Sequence, residues 1–167
     1  FAISDYNQVS SDLGDWSDLE NLSQDYRIMS DLVVNHCSTS HEWFHQFEKD
    51  EEPGSRFFLE VSPFEDLSEV VRPRTSPLLR PTPTPSGIKH VWCTFGHDQV
   101  DFNFRDHDLL VELVKIIRSH LDHGISVFRL DAVAFVWKEL GTECINLAQT
   151  HELVRLFRTL IEHVKPD

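Results

Sequence analysis

Cysteine is scarce in this 167-residue chain, and the three present, Cys37, Cys93 and Cys144, lie far apart. So few, odd in number and scattered, they do not make the disulfide framework of a small secreted domain, and they point to a reducing, cytoplasmic setting. None belongs to a Cys-x-x-Cys pair, and the ten histidines are dispersed without zinc spacing, which argues against a structural metal. Basic residues are few as well, 15 Lys and Arg against 28 Asp and Glu, for a formal charge of −13. Such a chain is a poor partner for nucleic acid or an anionic membrane, because both demand a basic surface. A neutral polar partner is easier to accommodate. No apolar run approaches the roughly 18 residues of a membrane span, and no sequence repeat of fixed period is visible. The first residue is Phe1, no secretory leader pattern follows, and the chain stops abruptly at Asp167. It therefore reads as an internal piece of something longer.

What is present suffices for one ordinary domain: 40% of residues are hydrophobic, and a chain of about 150 residues buries roughly 70% of its unfolded surface. Residues 15–22 predict a short helix, with Asp15 as N-cap and Trp16, Leu19 and Leu22 at helical spacing. Tyr26–Val34 reads as a buried strand followed directly by Asn35 and His36. From Cys37 to about Val100 the pattern changes to Gly, Pro and charge, too long for a structureless loop inside a compact domain. It predicts a small inserted subdomain or a lid, with short strands at Phe57–Leu59 and His90–Phe95. Its proline series, Pro73 to Pro85, reads as extended loop. Regularity returns with a helix over 108–123 ending at Gly124, a strand over 125–130, and a second helix from a Thr150 cap to Pro166. The recurring βα unit implies a parallel sheet whose ligands sit at the strands' carboxyl ends.

At one such end the sequence Ser-Val-Phe-Arg-Leu-Asp-Ala-Val-Ala (126–134) places Arg129 and Asp131 on the same face of a strand, two residues apart. A guanidinium there favours an ionised carboxylate and fixes its orientation, as a carboxylate nucleophile requires. A buried salt bridge at a strand end accounts for the same two residues equally well. Asp50-Glu51-Glu52 reads as a solvated turn. His41, His45, His107, His120, His123 and His163 show no partner pattern and are expected at the surface or at helix ends.

Four patterns in order narrow the choice. Asp31-Leu-Val-Val-Asn-His36, Gln99-Val-Asp-Phe-Asn103 and Phe128-Arg-Leu-Asp131, preceded by Asp5-Tyr6 with Leu13-Gly14-Asp15-Trp16, resemble sequence regions of the α-amylase superfamily (glycoside hydrolase family 13). Val71-Arg-Pro-Arg74, Trp92-Cys-Thr-Phe-Gly-His-Asp-Gln-Val-Asp101 and Lys138-Glu-Leu-Gly-Thr-Glu-Cys144 are similar to its sucrose phosphorylase group, which includes relatives acting on glucosylglycerate. The resemblance implies an α/β fold, part of a (β/α)8 TIM barrel covering about its second to fourth strands and helices, with a domain-B-like insertion. Residues 1–36 would be the end of the second strand, the second helix and the third strand. Residues 37–103 would be the insertion, and 104–167 the third helix, fourth strand and fourth helix, truncated before the fifth strand.

By the same resemblance Asp131 is the nucleophile of a retaining α-glucosyl transfer and Arg129 its support. His36 hydrogen-bonds the sugar, Phe95 and Gln99 wall the glucosyl subsite, Asn35 and Asp31 order the strand end, and Phe1 adds an aromatic platform. Arg72 and Arg74 are the phosphate or acceptor candidates; their plainer reading is solvated loop charge. The implied substrates are a sucrose or glucosylglycerate-type donor and inorganic phosphate. No cofactor is implied and no metal, although Asn35 matches a calcium-associated position in many α-amylases. The general acid and third carboxylate of the family fall beyond Asp167, so these residues alone would be inactive. A hydrolase or transglycosylase of the same superfamily, or a non-catalytic carbohydrate-binding barrel, remains the alternative. Nothing in the pattern sets an oligomeric state.

Overall fold

Apolar runs with two different periods build the structure, a computed structural model that describes residues 2–166. Strand β1 (Ile28–Val33) and strand β6 (Ile125–Asp131) form a parallel pair in which Asp31 lies opposite Arg129 and Val33 opposite Asp131. Between them in sequence comes helix α3 (His107–Asp122), capped by the Asp106 side chain, which accepts from the Asp108 and Leu109 amides. Its buried stripe of Leu109, Leu113, Ile116, Ile117 and Leu121 is the period-3.6 pattern of the sequence turned against the strands. Gly124 follows with φ +89°, and a Cβ there would collide with the Ser23 side chain. This is why the helix ends on glycine. Helix α4 (Ala148–Val164) buries Leu153 and Phe157.

Residues 39–98 leave and return through one antiparallel pair, β2 (His36–Ser38) with β5 (Gln99–Asp101), in which His36 faces Asp101 and Ser38 faces Gln99. Within the excursion lie helix α2 (Glu42–Glu48) and a hairpin of β3 (Leu79–Thr84) and β4 (Gly87–Trp92). Phe44, Phe47 and Phe58 pack at ring-centroid distances of 5.2–5.6 Å and belong to the main core together with Phe57 and Phe102.

Several local expectations are corrected. The proline-rich stretch is not loop throughout: Pro81 and Pro83 sit in β3. The Leu78 carbonyl accepts from the Cys93 amide, so by the period of 2 the even residues face β4 and both prolines point their missing N–H away from it. Phe57–Leu59 is no strand. A 3-10 turn at Gly54–Arg56 precedes it, and Phe58 makes a single bridge to Phe102. Thr150 caps nothing, because α4 already starts at Ala148, and the Thr150 hydroxyl is buried without a partner. Two of the histidines expected at the surface or at helix ends are helix-end residues that are also buried. His41 is the N-cap of α2, its Nδ1 accepting from the Trp43 amide, and the His120 ring nitrogen Nε2 lies 2.9 Å from the Tyr6 carbonyl. Helix α1 (Trp16–Ser23) forms on its Asp15 capping box but buries no residue fully. Asp50 is a turn residue as expected, though engaged: it pairs with Lys89 at 2.6 Å.

Candidate active site at the strand ends

The carboxyl ends of β1 and β6 gather most of the residues singled out from the sequence. Arg129 reaches across the pair rather than along its own strand. Its Nε and Nη2 each lie 2.5 Å from a different Asp31 carboxylate oxygen, while Asp131 stands 3.6 Å from Nη2. The cause is register: Asp31 and Arg129 are direct neighbours on adjacent strands, closer than the i, i+2 positions of one strand. Arg129 therefore orients Asp131 only at longer range, and its tight partner is Asp31, which holds the Asp31 carboxyl below the usual carboxylate range. Directly after Asp131 the backbone of Ala132 adopts a left-handed conformation, φ 53°. A non-glycine residue held there is a strained position of the kind concentrated at functional sites. It starts a 3-10 turn, Val133–Phe135.

Asn35 and His36 are fully buried where β1 gives way to β2. The Tyr6 hydroxyl staples this corner, 2.7 Å from the Val33 carbonyl and 3.2 Å from that of His36. Burial pushes the Tyr6 phenol up, so it stays a donor. One face of the His36 ring meets Phe95, centroids 5.3 Å apart, and Phe95 in turn meets Phe135 edge-on at 5.4 Å. The Gln99 amide nitrogen Nε2 lies 3.2 Å from His36 Nε2. Thus His36, Phe95 and Gln99 do converge, and Phe135 joins them. The phosphate candidates are divided. Arg72 is partly buried, its guanidinium pointing at the Cys93 and Thr94 carbonyls, and burial lowers its pKa. Arg74 is exposed, bonded to the neighbouring Pro73 carbonyl and placed 6.0 Å over Phe95. Phe1 lies outside the described residues.

Beneath this wall is an ion pair that the sequence did not disclose. Lys138, from the segment after the 3-10 turn, sets its Nζ 2.7 Å from the Asp101 carboxylate of β5, both side chains almost wholly excluded from solvent. Asp101 also accepts from the Thr94 hydroxyl at 2.6 Å, the Thr94 amide at 3.1 Å and Asn35 Nδ2 at 3.0 Å. Four donors thus converge on this one carboxylate. Burial lowers the Lys138 pKa, with Asp101 working against that shift. Lys138 donates to Asn35 Oδ1 as well, at 2.8 Å. A divalent cation at Asn35 would meet an ammonium already occupying its oxygen ligands, so the residues present do not fit one. Period-2 and period-3.6 patterns carry no signal for this pair, whose members are separated by α3 and β6; only the lysine's place in an apolar segment hints at it.

A parallel strand pair joined through α3, with a carboxylate, a guanidinium and a buried imidazole at its carboxyl ends, defines part of a β/α barrel with its working face at those ends. The whole chain, residues 1–167, matches the model of the alpha amylase catalytic domain, and the chain belongs to that family. It is 43% identical over 99% of its length to a glucosylglycerate phosphorylase of Allomeiothermus silvanus and 41% identical to one of Escherichia coli, in each case over 30% of the relative. A sucrose phosphorylase of Agrobacterium vitis is 29% identical over 90% of this chain. The chain spans about 30% of the length of the glucosylglycerate phosphorylases it matches. In structure, sucrose 6F-phosphate phosphorylase from Thermoanaerobacter thermosaccharolyticum superposes with a TM-score of 0.91 at 22% identity, over 98% of this chain and 36% of that one. The fold is a portion of the (β/α)8 barrel of these enzymes.

Proposed function

We propose that the intact protein containing this chain is a retaining phosphorylase that transfers an α-glucosyl group from a glucosylglycerate- or sucrose-type donor to inorganic phosphate. The observation that carries it is Asp131 at the carboxyl end of β6, beside an arginine and opposite Val33, three residues before the buried His36, in a chain 41–43% identical to proteins named for that activity. In this reading the Asp131 carboxylate attacks the anomeric carbon as the bond to the leaving oxygen breaks, and a general acid outside these residues gives that oxygen its proton. Retaining chemistry needs the two carboxyl groups about 5–5.5 Å apart. A phosphate oxygen then attacks the same carbon, the glucosyl–aspartate ester breaks, and α-glucose 1-phosphate leaves with Asp131 restored.

His36, Gln99 and the Phe95 face bind the glucosyl ring, an imidazole and a carboxamide for hydroxyls and an aromatic face for C–H surface. Asn35 orders the strand end, and Arg129 with Asp31 keeps the electrostatic setting of Asp131. Of the two acceptor candidates Arg74 suits phosphate better, since its guanidinium remains exposed beside Phe95, whereas Arg72 is spent on backbone carbonyls. Residues 37–103 form the inserted domain that supplies Phe95, Gln99 and both arginines, returning to the barrel where β5 meets β2. Three free, buried cysteines suit a reducing cytoplasm; the Cys93 thiol is pushed up to about 12 by burial. Among the described residues no helix is long and apolar enough to cross a membrane.

Incubating the intact protein with each donor tests the proposal. Glucose 1-phosphate must appear in proportion to the phosphate supplied. Release of free glucose alone, indifferent to phosphate, would assign a hydrolase or transglycosylase instead.

A further inference from the structure

The geometry points to the buried Asp101–Lys138 pair as the device that sets the tautomer of His36, acting through the Asn35 carboxamide. Asn35 has three polar contacts that decide which end of its amide is which. Lys138 Nζ, a pure donor, faces one end at 2.8 Å, and the Asp101 carboxylate, a pure acceptor, faces the other at 3.0 Å. With those neighbours the oxygen must lie toward the ammonium and the NH2 toward the carboxylate; the swapped amide would set donor against donor and acceptor against acceptor. The second hydrogen of that NH2 points at His36 Nδ1, 3.1 Å away. Nδ1 must then accept, so the ring is neutral and carries its proton on Nε2.

The consequence lies at the sugar-facing side. A ring protonated at Nε2 presents a donor there, and because Gln99 Nε2 lies 3.2 Å from that nitrogen, donor against donor, the Gln99 carboxamide must turn over to set its oxygen toward the ring. Asp101 and Lys138 touch no substrate in this scheme and are positioning residues, one from β5 and one from the segment following Asp131. The insertion and the nucleophile strand are thus tied to the same imidazole. This function of the pair rests on the sugar-binding role given to His36 above, but the tautomer itself does not.

The first measurement is nitrogen-15 NMR of the intact protein labelled at histidine, with the His36 signals assigned by their loss in His36→Asn. A neutral Nε2–H ring at pH 7 is expected; an Nδ1–H ring or an imidazolium overturns the inference without any reference to turnover. The second is the charge-neutral double variant Asp101→Asn with Lys138→Met, which removes both constraints on the Asn35 amide. It should give a mixture of tautomers and, with donor, a KM about tenfold higher at a kcat within about threefold of wild type. A folded double variant that keeps a pure Nε2–H ring shows that the pair does not set the tautomer. Should the double variant not fold, Asn35→Asp, which offers a carboxylate to Nδ1, is expected to invert the ring to Nδ1–H, and an unchanged ring refutes the relay. A shifted tautomer with no phosphorolysis in the wild type would leave the relay standing and remove only the phosphorylase reading.

Discussion

Lys138→Met is the substitution with the largest effect expected from the interior of the site. The methionine nearly matches the lysine stem in shape but leaves the Asp101 carboxylate, wholly buried, with Thr94 and Asn35 as its remaining donors. It also strips Asn35 Oδ1 of its donor. Breaking one side of a buried ion pair costs about 3–5 kcal/mol. That is a fifth or more of the stability of an ordinary domain, and with a urea slope of about 2 kcal/mol per molar it shifts the unfolding midpoint down by about 2 M. The double variant with Asp101→Asn behaves differently. Taking two charges out of water costs about as much as their mutual attraction returns. Removing both charges is then expected to cost within about 1 kcal/mol of zero. Urea unfolding of the intact protein, followed by tryptophan fluorescence, gives all four corners of the cycle; Trp92 donates to Thr94 inside this cluster and reports on it. A single-variant cost under about 1 kcal/mol, or two single costs that simply add in the double variant, would refute the account of a desolvated pair.

Asp131→Asn is expected to lower kcat by about four orders of magnitude or more while leaving the unfolding midpoint near wild type, since its ion-pair contact among the described residues is the 3.6 Å approach of Arg129; retained turnover would remove it as nucleophile. Burial lowers the pKa of both His41 and His120 from 6.5. The unfolded chain therefore takes up protons before the folded one, and stability falls as pH drops below about 6.5. His41→Asn, which keeps an N-cap acceptor, should flatten part of that slope in a series of thermal melts, and an unchanged slope would clear His41. Asp50, held down to about 2 by Lys89, stabilises the fold above its ordinary 3.8 and loses that contribution as pH falls from about 4 to 2. The acid limb of denaturation should be shallower in Asp50→Asn, and an identical limb would show the ion pair to be inert.

The strand and helices around Asp131 were legible because each is carried by a local period. The α3 stripe, its Gly124 stop and the apolar run of β6 were placed to within a residue or so. The family patterns then added roles for Asn35, His36, Phe95 and Gln99, and three of these four do meet in space, with Asn35 behind them. The excursion was harder. Helix α2, only seven residues long, gives too short a window for its period to stand out, and Pro81 and Pro83 in β3 read as breakers unless the free edge of the hairpin is known. His41 and His120 carry no local mark of burial, since what buries them is Tyr6 and α1 from distant parts of the chain.

By itself the sequence determined the acidic charge, the alternation of strand and helix, and the delivery of a carboxylate and an arginine to one strand end. Those depend on residues near one another in the chain. Only the tertiary structure decided that Arg129 grips Asp31 more closely than Asp131, that Asp101 and Lys138 meet, and that Phe135 backs Phe95. Each of these is a contact across elements, set by strand register and by the return of the excursion at β5. No period along the chain records a register between strands, so those partners emerge only when the strands are laid side by side.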